Sequence, residues 1–213
     1  TSDSLSLSGN ALTVDAGGAM ISITDLGIES GQVYQLASFG SGTGAGFATG
    51  TGTTVGSLAL ANPQLTFGIT GELNVTTNSI ELVTSGSSAP LTAYWSGVKG
   101  TSWTSTQGAE GNFTLNSNGT DFVASYPSAG TDVIFAASGN GAPANLSNQL
   151  GKDFIIRSLT FTGLTPAVTI SGANQLTIDN GGMTLESGNG GATLAMNTLA
   201  LANFQTWSNA SSG

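Results

Sequence analysis

The 213 residues are 38% hydrophobic but only 7% charged, and three basic against twelve acidic side chains leave a net charge of −9. That balance excludes a phosphate-backbone binder, which needs clustered Lys and Arg, and gives no polybasic stretch for an anionic lipid surface. With neither Cys nor His, disulfides, thiolate chemistry, Cys-based zinc sites and the usual general base are all missing.

Disorder calls for low hydrophobicity with high charge, the opposite of this chain. No apolar run reaches the roughly 20 residues of a membrane helix. The opening residues 1–8 have neither the basic start nor the apolar stretch of a signal peptide, so the chain reads as mature or cut from something longer. Aromatics are 7% of residues while Gly alone fills 32 positions, so the expected core is built largely of small and aliphatic residues.

Read in chain order, apolar residues alternate with polar or small ones at period two, the spacing of half-buried strands. The pattern runs through Leu5/Leu7, Leu12/Val14, Ile21/Ile23, Leu65/Phe67/Ile69, Leu73/Val75 and Ile80/Leu82. It returns at Leu159/Phe161, Val168/Ile170, Leu176/Ile178, Met183/Leu185 and Leu199/Leu201. No segment has helical periodicity. Asn-Gly pairs at Asn118-Gly119, Asn140-Gly141, Asn180-Gly181 and Asn189-Gly190 predict turns, because both residue types tolerate positive φ. Residues 72–83 predict an antiparallel hairpin turning near Thr77-Asn78.

Two internal echoes stand out. Residues 7–20 read LSGNALTVDAGGAM and residues 170–183 read ISGANQLTIDNGGM; a shorter pair joins 57–64 (SLALANPQ) to 198–205 (TLALANFQ). Repeated units that cannot bury an apolar face alone are the signature of stacked solenoids. The Ser/Gly/Pro stretch at 85–90 predicts a linker, which divides the chain into a β-rich segment 1–88 and a second segment 89–213. The fold expected is all-β, a parallel β-helix or solenoid with antiparallel hairpin excursions, with an antiparallel β-sandwich or jelly roll as the alternative.

Catalysis is not expected. Acid pairs such as Asp121 with Asp132, or Asp153 with Asp179, have no spacing that marks a glycosidase, and Lys152 and Arg157 read as charge balance beside Asp153. No cofactor is expected. Calcium is the one metal the residue types allow, at the echo loops Asp15-Ala16-Gly17 and Asp179-Asn180-Gly181, where Asp and Asn otherwise supply turns. Tyr94, Trp95 and Trp103 are the candidate aromatics, either a glycan-stacking platform or core anchors, with anchoring favoured. Isopeptide bonds from Lys99 or Lys152 are not expected. Asn-x-Ser/Thr sequons at Asn74, Asn112, Asn118, Asn145 and Asn209 are no more than an Asn- and Thr-rich chain produces by chance.

From Tyr94 onward the landmarks Tyr94-Trp95-Ser96-Gly97, Ser102-Trp103, Asp132-Val133-Ile134-Phe135, Asn145-Leu146-Ser147, DFIIRSLTF (153–161), LTIDNGGM (176–183) and Gln205-Thr206-Trp207 occur in order. The first segment contributes GQVYQLASFG (31–40), a Gly/Thr-rich stretch and Ile80-Glu81-Leu82-Val83. In this combination the chain resembles the autotransporter-associated, passenger-associated β-strand repeat proteins of bacterial surface and secreted chains. The resemblance implies a right-handed parallel β-helix, or a solenoid with antiparallel excursions, in a long passenger exported to the cell exterior, and no enzyme activity.

The expectation is therefore an extracellular, cell-surface structural segment that forms fibres or layers by head-to-tail stacking, within a longer polypeptide or between subunits. An adhesin module binding glycan or a host surface is the alternative, and a β-helical polysaccharide-active enzyme a distant third. Neither nucleic acid nor membrane insertion is expected.

Overall fold

The computed structural model describes residues 5–24, 28–137, 142–164 and 166–210; the turn expected at Asn140-Gly141 lies outside them. The described residues form an all-β protein with no helix, in sheets that mix parallel and antiparallel pairs. Two compact units divide the chain, Thr1–Ser88 and Ala89–Gly213.

In the first unit a six-stranded sheet runs in the order Leu5–Thr13, Val33–Thr43, Ser79–Gly86, Ile69–Val75 and Gly50–Gly52, with Gln64–Thr66 attached to Ile69–Val75. Leu5–Thr13 lies parallel to Val33–Thr43, and the other neighbours are antiparallel. The hairpin read at 72–83 is present: Val75 pairs with Ile80, and Thr76 N–H donates to Ser79 O across the turn at 2.9 Å. A small second sheet sets Ala19–Ile21 parallel to Leu58–Leu60, with Thr54–Val55 antiparallel beyond it. Alternation decides what is buried. In Ile69–Val75 the side chains of Ile69, Leu73 and Val75 enter the core while Thr70 and Glu72 face out, and Leu58, Leu60, Ile80 and Leu82 meet them there.

The second unit is built on parallel pairing. Its eight-stranded sheet joins Thr92–Trp95 to Asp132–Ala136, then to Phe154–Thr162, then to the 18-residue strand Val168–Leu185, which also takes Ser147–Gln149, Ala192–Leu201 and Trp207–Asn209 as parallel partners. From Asp132–Ala136 onward the paired residues lie 22 to 26 positions apart. Parallel strands cannot be joined by tight hairpins, so each turn of chain returns by a crossover before laying down the next strand.

Val168–Leu185 is long because it bends rather than ends. Its register shifts beside Gly172, and again where its partner passes from Ile156 to Ser158. Gly172 and Gly182 take φ of 118° and 71°, values that a residue with a Cβ adopts only at a cost. The bends send successive parts of the strand to different partners: Thr169–Ser171 to Ser147–Gln149, Leu176–Ile178 to Phe154–Ile156, and Gly182–Leu185 to Ser158–Phe161. The turns read at Asn180-Gly181 and Asn189-Gly190 are thereby corrected. The positive φ falls on Gly182, Gly188 and Gly191 instead, and the chain at 180–181 stays in the strand; among the described pairs, Asn118-Gly119 has it on the expected glycine.

Inward-facing Ile170, Leu176 and Ile178 are fully buried, and each contributes roughly 1.5–3 kcal/mol by leaving water. Few large residues are available, so the aromatics are concentrated in this core. Trp95, Phe135 and Phe161 follow one another up the parallel ladder, with ring centroids 5.7 and 5.4 Å apart and planes 27° and 26° from parallel. Trp103 crosses this column, edge-on to Phe113 at 5.3 Å and to Phe154 at 5.2 Å.

The two copies of the first echo share their corner, although 168–185 is one strand and 5–21 is two. Gly18 and Gly182 hold equivalent positions and both have φ of 71°. A Cβ on either would lie 2.0 Å from Ser57 O or 2.1 Å from Thr206 O, the carbonyl just before the next parallel strand in each unit. The second echo is different: Leu58–Leu60 pairs with Ala19–Ile21, whereas Leu199–Leu201 pairs with Leu176–Ile178, one bend earlier. There the same residues fill different places, because a short apolar strand fits either face.

Candidate functional site

Of the three sequence-selected aromatics, Trp95 and Trp103 are 2% and 0% exposed, with their ring faces covered by Phe113 and Phe135. Each indole N–H is satisfied internally: Trp95 Nε1 donates to Ala144 O at 3.0 Å and Trp103 Nε1 to Asn148 Oδ1 at 2.8 Å. A sugar stacks only on an accessible ring, so these two serve as core anchors. Tyr94, on the opposite side of its strand, is half-buried.

Three of the sequence-selected carboxylates, Asp132, Asp153 and Asp179, are engaged locally. Asp132 takes the Arg157 guanidinium and the Ser158 hydroxyl, and Asp153 Oδ1 accepts the Gln175 N–H at 2.8 Å. The expected balance of Arg157 with Asp153 is therefore corrected to Asp132, because Ser158, the neighbour of Arg157, is the residue in register with Asp132. Lys152 lies over the rings of Tyr126 and Phe154 at 5.2 and 5.7 Å. At the echo corner Asp179 Oδ1 accepts the Asn203 side-chain N–H. Among the described residues no three His, Cys, Asp or Glu side chains are grouped as a metal site would require. Lys99 Nζ reaches Glu110 Oε2 at 2.6 Å and sits 4.1 Å from the Phe122 ring centroid. Asn112 is fully buried, with its amide donating to Gly100 O and Ser102 O, so its sequon is inaccessible in the folded chain.

Among the described residues, Leu5–Thr13 and Ala19–Ile21 are paired on one side only, and so are Ala192–Leu201 and Trp207–Asn209. At the second of these edges Leu194, Met196 and Leu199 are only partly covered, Leu201 and Trp207 are 54% and 45% exposed, and an open cleft of about 250 Å³ is lined by Phe161, Met183, Leu185, Leu194 and Trp207.

Natural proteins protect edges with charge, especially Lys, or with Pro. Neither edge stretch, 5–21 or 187–213, carries Lys, Arg or Pro. Residues 187–213 and 4–14 contain no charged side chain and no Pro, in a chain of net charge −9. The sequence reading reached Leu199 and Leu201 by alternation but passed over this charge-free run, the signal that would have marked the edge. Comparison with family models, with curated proteins and with solved structures found no match.

Proposed function

We propose that this chain is an extracellular, cell-surface structural segment, a β-solenoid of the autotransporter-associated repeat type that builds a fibre or layer by head-to-tail stacking. The observation that carries the reading is the parallel column Ala93–Val133–Leu159–Met183–Trp207, in which Val133 follows Ala93 after 40 positions and each turn after that adds one residue after 26 or 24. Such a column is how a solenoid completes its core, each turn burying its inward side chains against the turns before and after. The antiparallel hairpin 69–86 is an excursion from that pattern in the first unit.

The remaining support is chemical. Asp132, Asp153 and Asp179 are tied to guanidinium, hydroxyl, backbone or amide partners, and Trp95, Trp103, Phe113, Phe135, Phe154 and Phe161 are spent on the core. Part of the apolar surface left open, at Leu5, Met20, Leu201 and Trp207, lies along strand edges, which suits a part that acts by joining.

The test is to label intact cells of the source with an antibody raised against the chain and to image the native material by electron microscopy. Surface labelling together with ordered filaments or layers is the expected result. Labelling that appears only after permeabilisation overturns the reading, and glycan-array binding with no assembly replaces it by the adhesin.

A further inference from the structure

We infer that the open edge formed by Ala192–Leu201 and Trp207–Asn209 takes a second copy of this chain, seated through that copy's residues 5–21, with Ala200 of one copy beside Thr13 of the next. This rests on the solenoid reading above and names both the partner and the register.

The argument starts from the echo. Residues 170–183 show what the preceding edge of such a turn accepts: Asn148 beside Ile170, Phe154 beside Leu176, Ile155 beside Thr177, Ile156 beside Ile178 and Leu159 beside Met183, all in parallel register. Residues 7–20 repeat this turn in sequence and in the conformation of its corner glycine, and they carry a following turn in the same way, Leu12 beside Gly42, Thr13 beside Thr43 and Ala19 beside Leu58. Their preceding edge is the side without a strand among the described residues.

The other edge supplies what fits there. Leu199, Ala200 and Leu201 sit beside Leu176, Thr177 and Ile178, so they stand one turn further along the position that Phe154, Ile155 and Ile156 occupy one turn before. Carried onto a second copy, Leu199 and Leu201 meet Leu12 and Val14, and Leu194 meets Leu7. Trp207 comes to Ala19, whose small side chain leaves room for the indole.

Charge favours the match. Copies of a chain with net charge −9 repel one another, yet of the two edges that would meet, 192–209 has no charged residue and 5–21 has only Asp15, so contact is least opposed there. Among the described residues each edge lacks a paired strand on that side, and such an edge is a template for pairing.

The register is tested with the full chain by sedimentation over a concentration series. Thr13 is exposed and Ala200 faces outward, by alternation with Leu199 and Leu201, so both accept charge without loss of fold, which the melting midpoint checks. The parent chain associates as concentration rises. The double variant T13E/A200E places like charges together and shifts half-association to at least about tenfold higher concentration, whereas T13E/A200K restores it. A chain that stays single at every concentration overturns the proposal, as does association indifferent to T13E/A200E or not rescued by T13E/A200K.

An independent arm uses the absence of Cys. Adjacent strands lie about 4.8 Å apart, within disulfide reach, so T13C copies mixed with A200C copies crosslink on mild oxidation. Crosslinking no greater than in either variant alone overturns the register. A folded chain that never associates overturns this contact between copies alone, because the surface-structural reading is decided separately, by labelling of intact cells and imaging of the native material.

Discussion

Trp103 Nε1 donates to Asn148 Oδ1 at 2.8 Å, joining two buried side chains 45 positions apart in the chain. Asn148 holds an inward position whose next occupants up the ladder are Ile170 and then Leu194. A polar residue stands in that apolar column because the indole brings a donor that must be satisfied. The backbone reinforces the contact, since Trp103 N–H donates to Gln149 O at 2.8 Å.

Asn148→Leu matches the column in shape but leaves the indole N–H buried without an acceptor. The expected loss is about 1–3 kcal/mol, seen as a lower urea midpoint at unchanged slope. A midpoint equal to or above the parent's would mean that the hydrogen bond is replaceable by apolar packing.

The corner glycines separate conformational cost from collision. Gly188 has φ of 79° with open space where a Cβ would be, so Gly188→Ala costs about 1 kcal/mol. Gly182→Ala adds a Cβ 2.1 Å from Thr206 O and must push Trp207–Asn209 off the ladder. Its expected cost is clearly larger, with faster amide exchange at residues 206–209. Equal costs for the two variants would refute the close approach.

Phe135 lies between Trp95 and Phe161 in the aromatic column and is fully buried. Truncation to Ala is expected to cost about 3–5 kcal/mol, from lost transfer energy and the cavity left behind. Thermal unfolding measures it. A loss under about 1 kcal/mol would show that the column can collapse around the gap.

Lys99 is held by Glu110 and by the Phe122 ring, with only 10% of its side chain exposed against 51% for Glu110. Because Glu110 stays wet, the pair contributes less than its 2.6 Å separation suggests. Glu110→Gln is expected to cost under about 1 kcal/mol, and less in high salt. A loss that persists unchanged at high salt would assign the effect to packing rather than charge.

The sequence by itself determined the strand class. Alternation at Leu73/Val75, Ile80/Leu82 and Leu176/Ile178 reads directly as inward positions, since side chains on a strand alternate sides whatever lies beside it. The echo of 7–20 in 170–183 was legible for the same reason: a bend needing Gly and a face needing Leu-Thr-Val or Leu-Thr-Ile leave a local imprint.

Only the tertiary structure decided which strands are neighbours. That Phe135 meets Phe161, that Arg157 pairs with Asp132, and that 57–64 and 198–205 occupy different faces despite near-identical wording all depend on register between distant segments. Register is set by the sum of inward packing over whole turns, so no single stretch encodes it. The unpartnered edges belong to the same class of fact, because a strand carries the same backbone donors and acceptors whether or not another strand lies beside it.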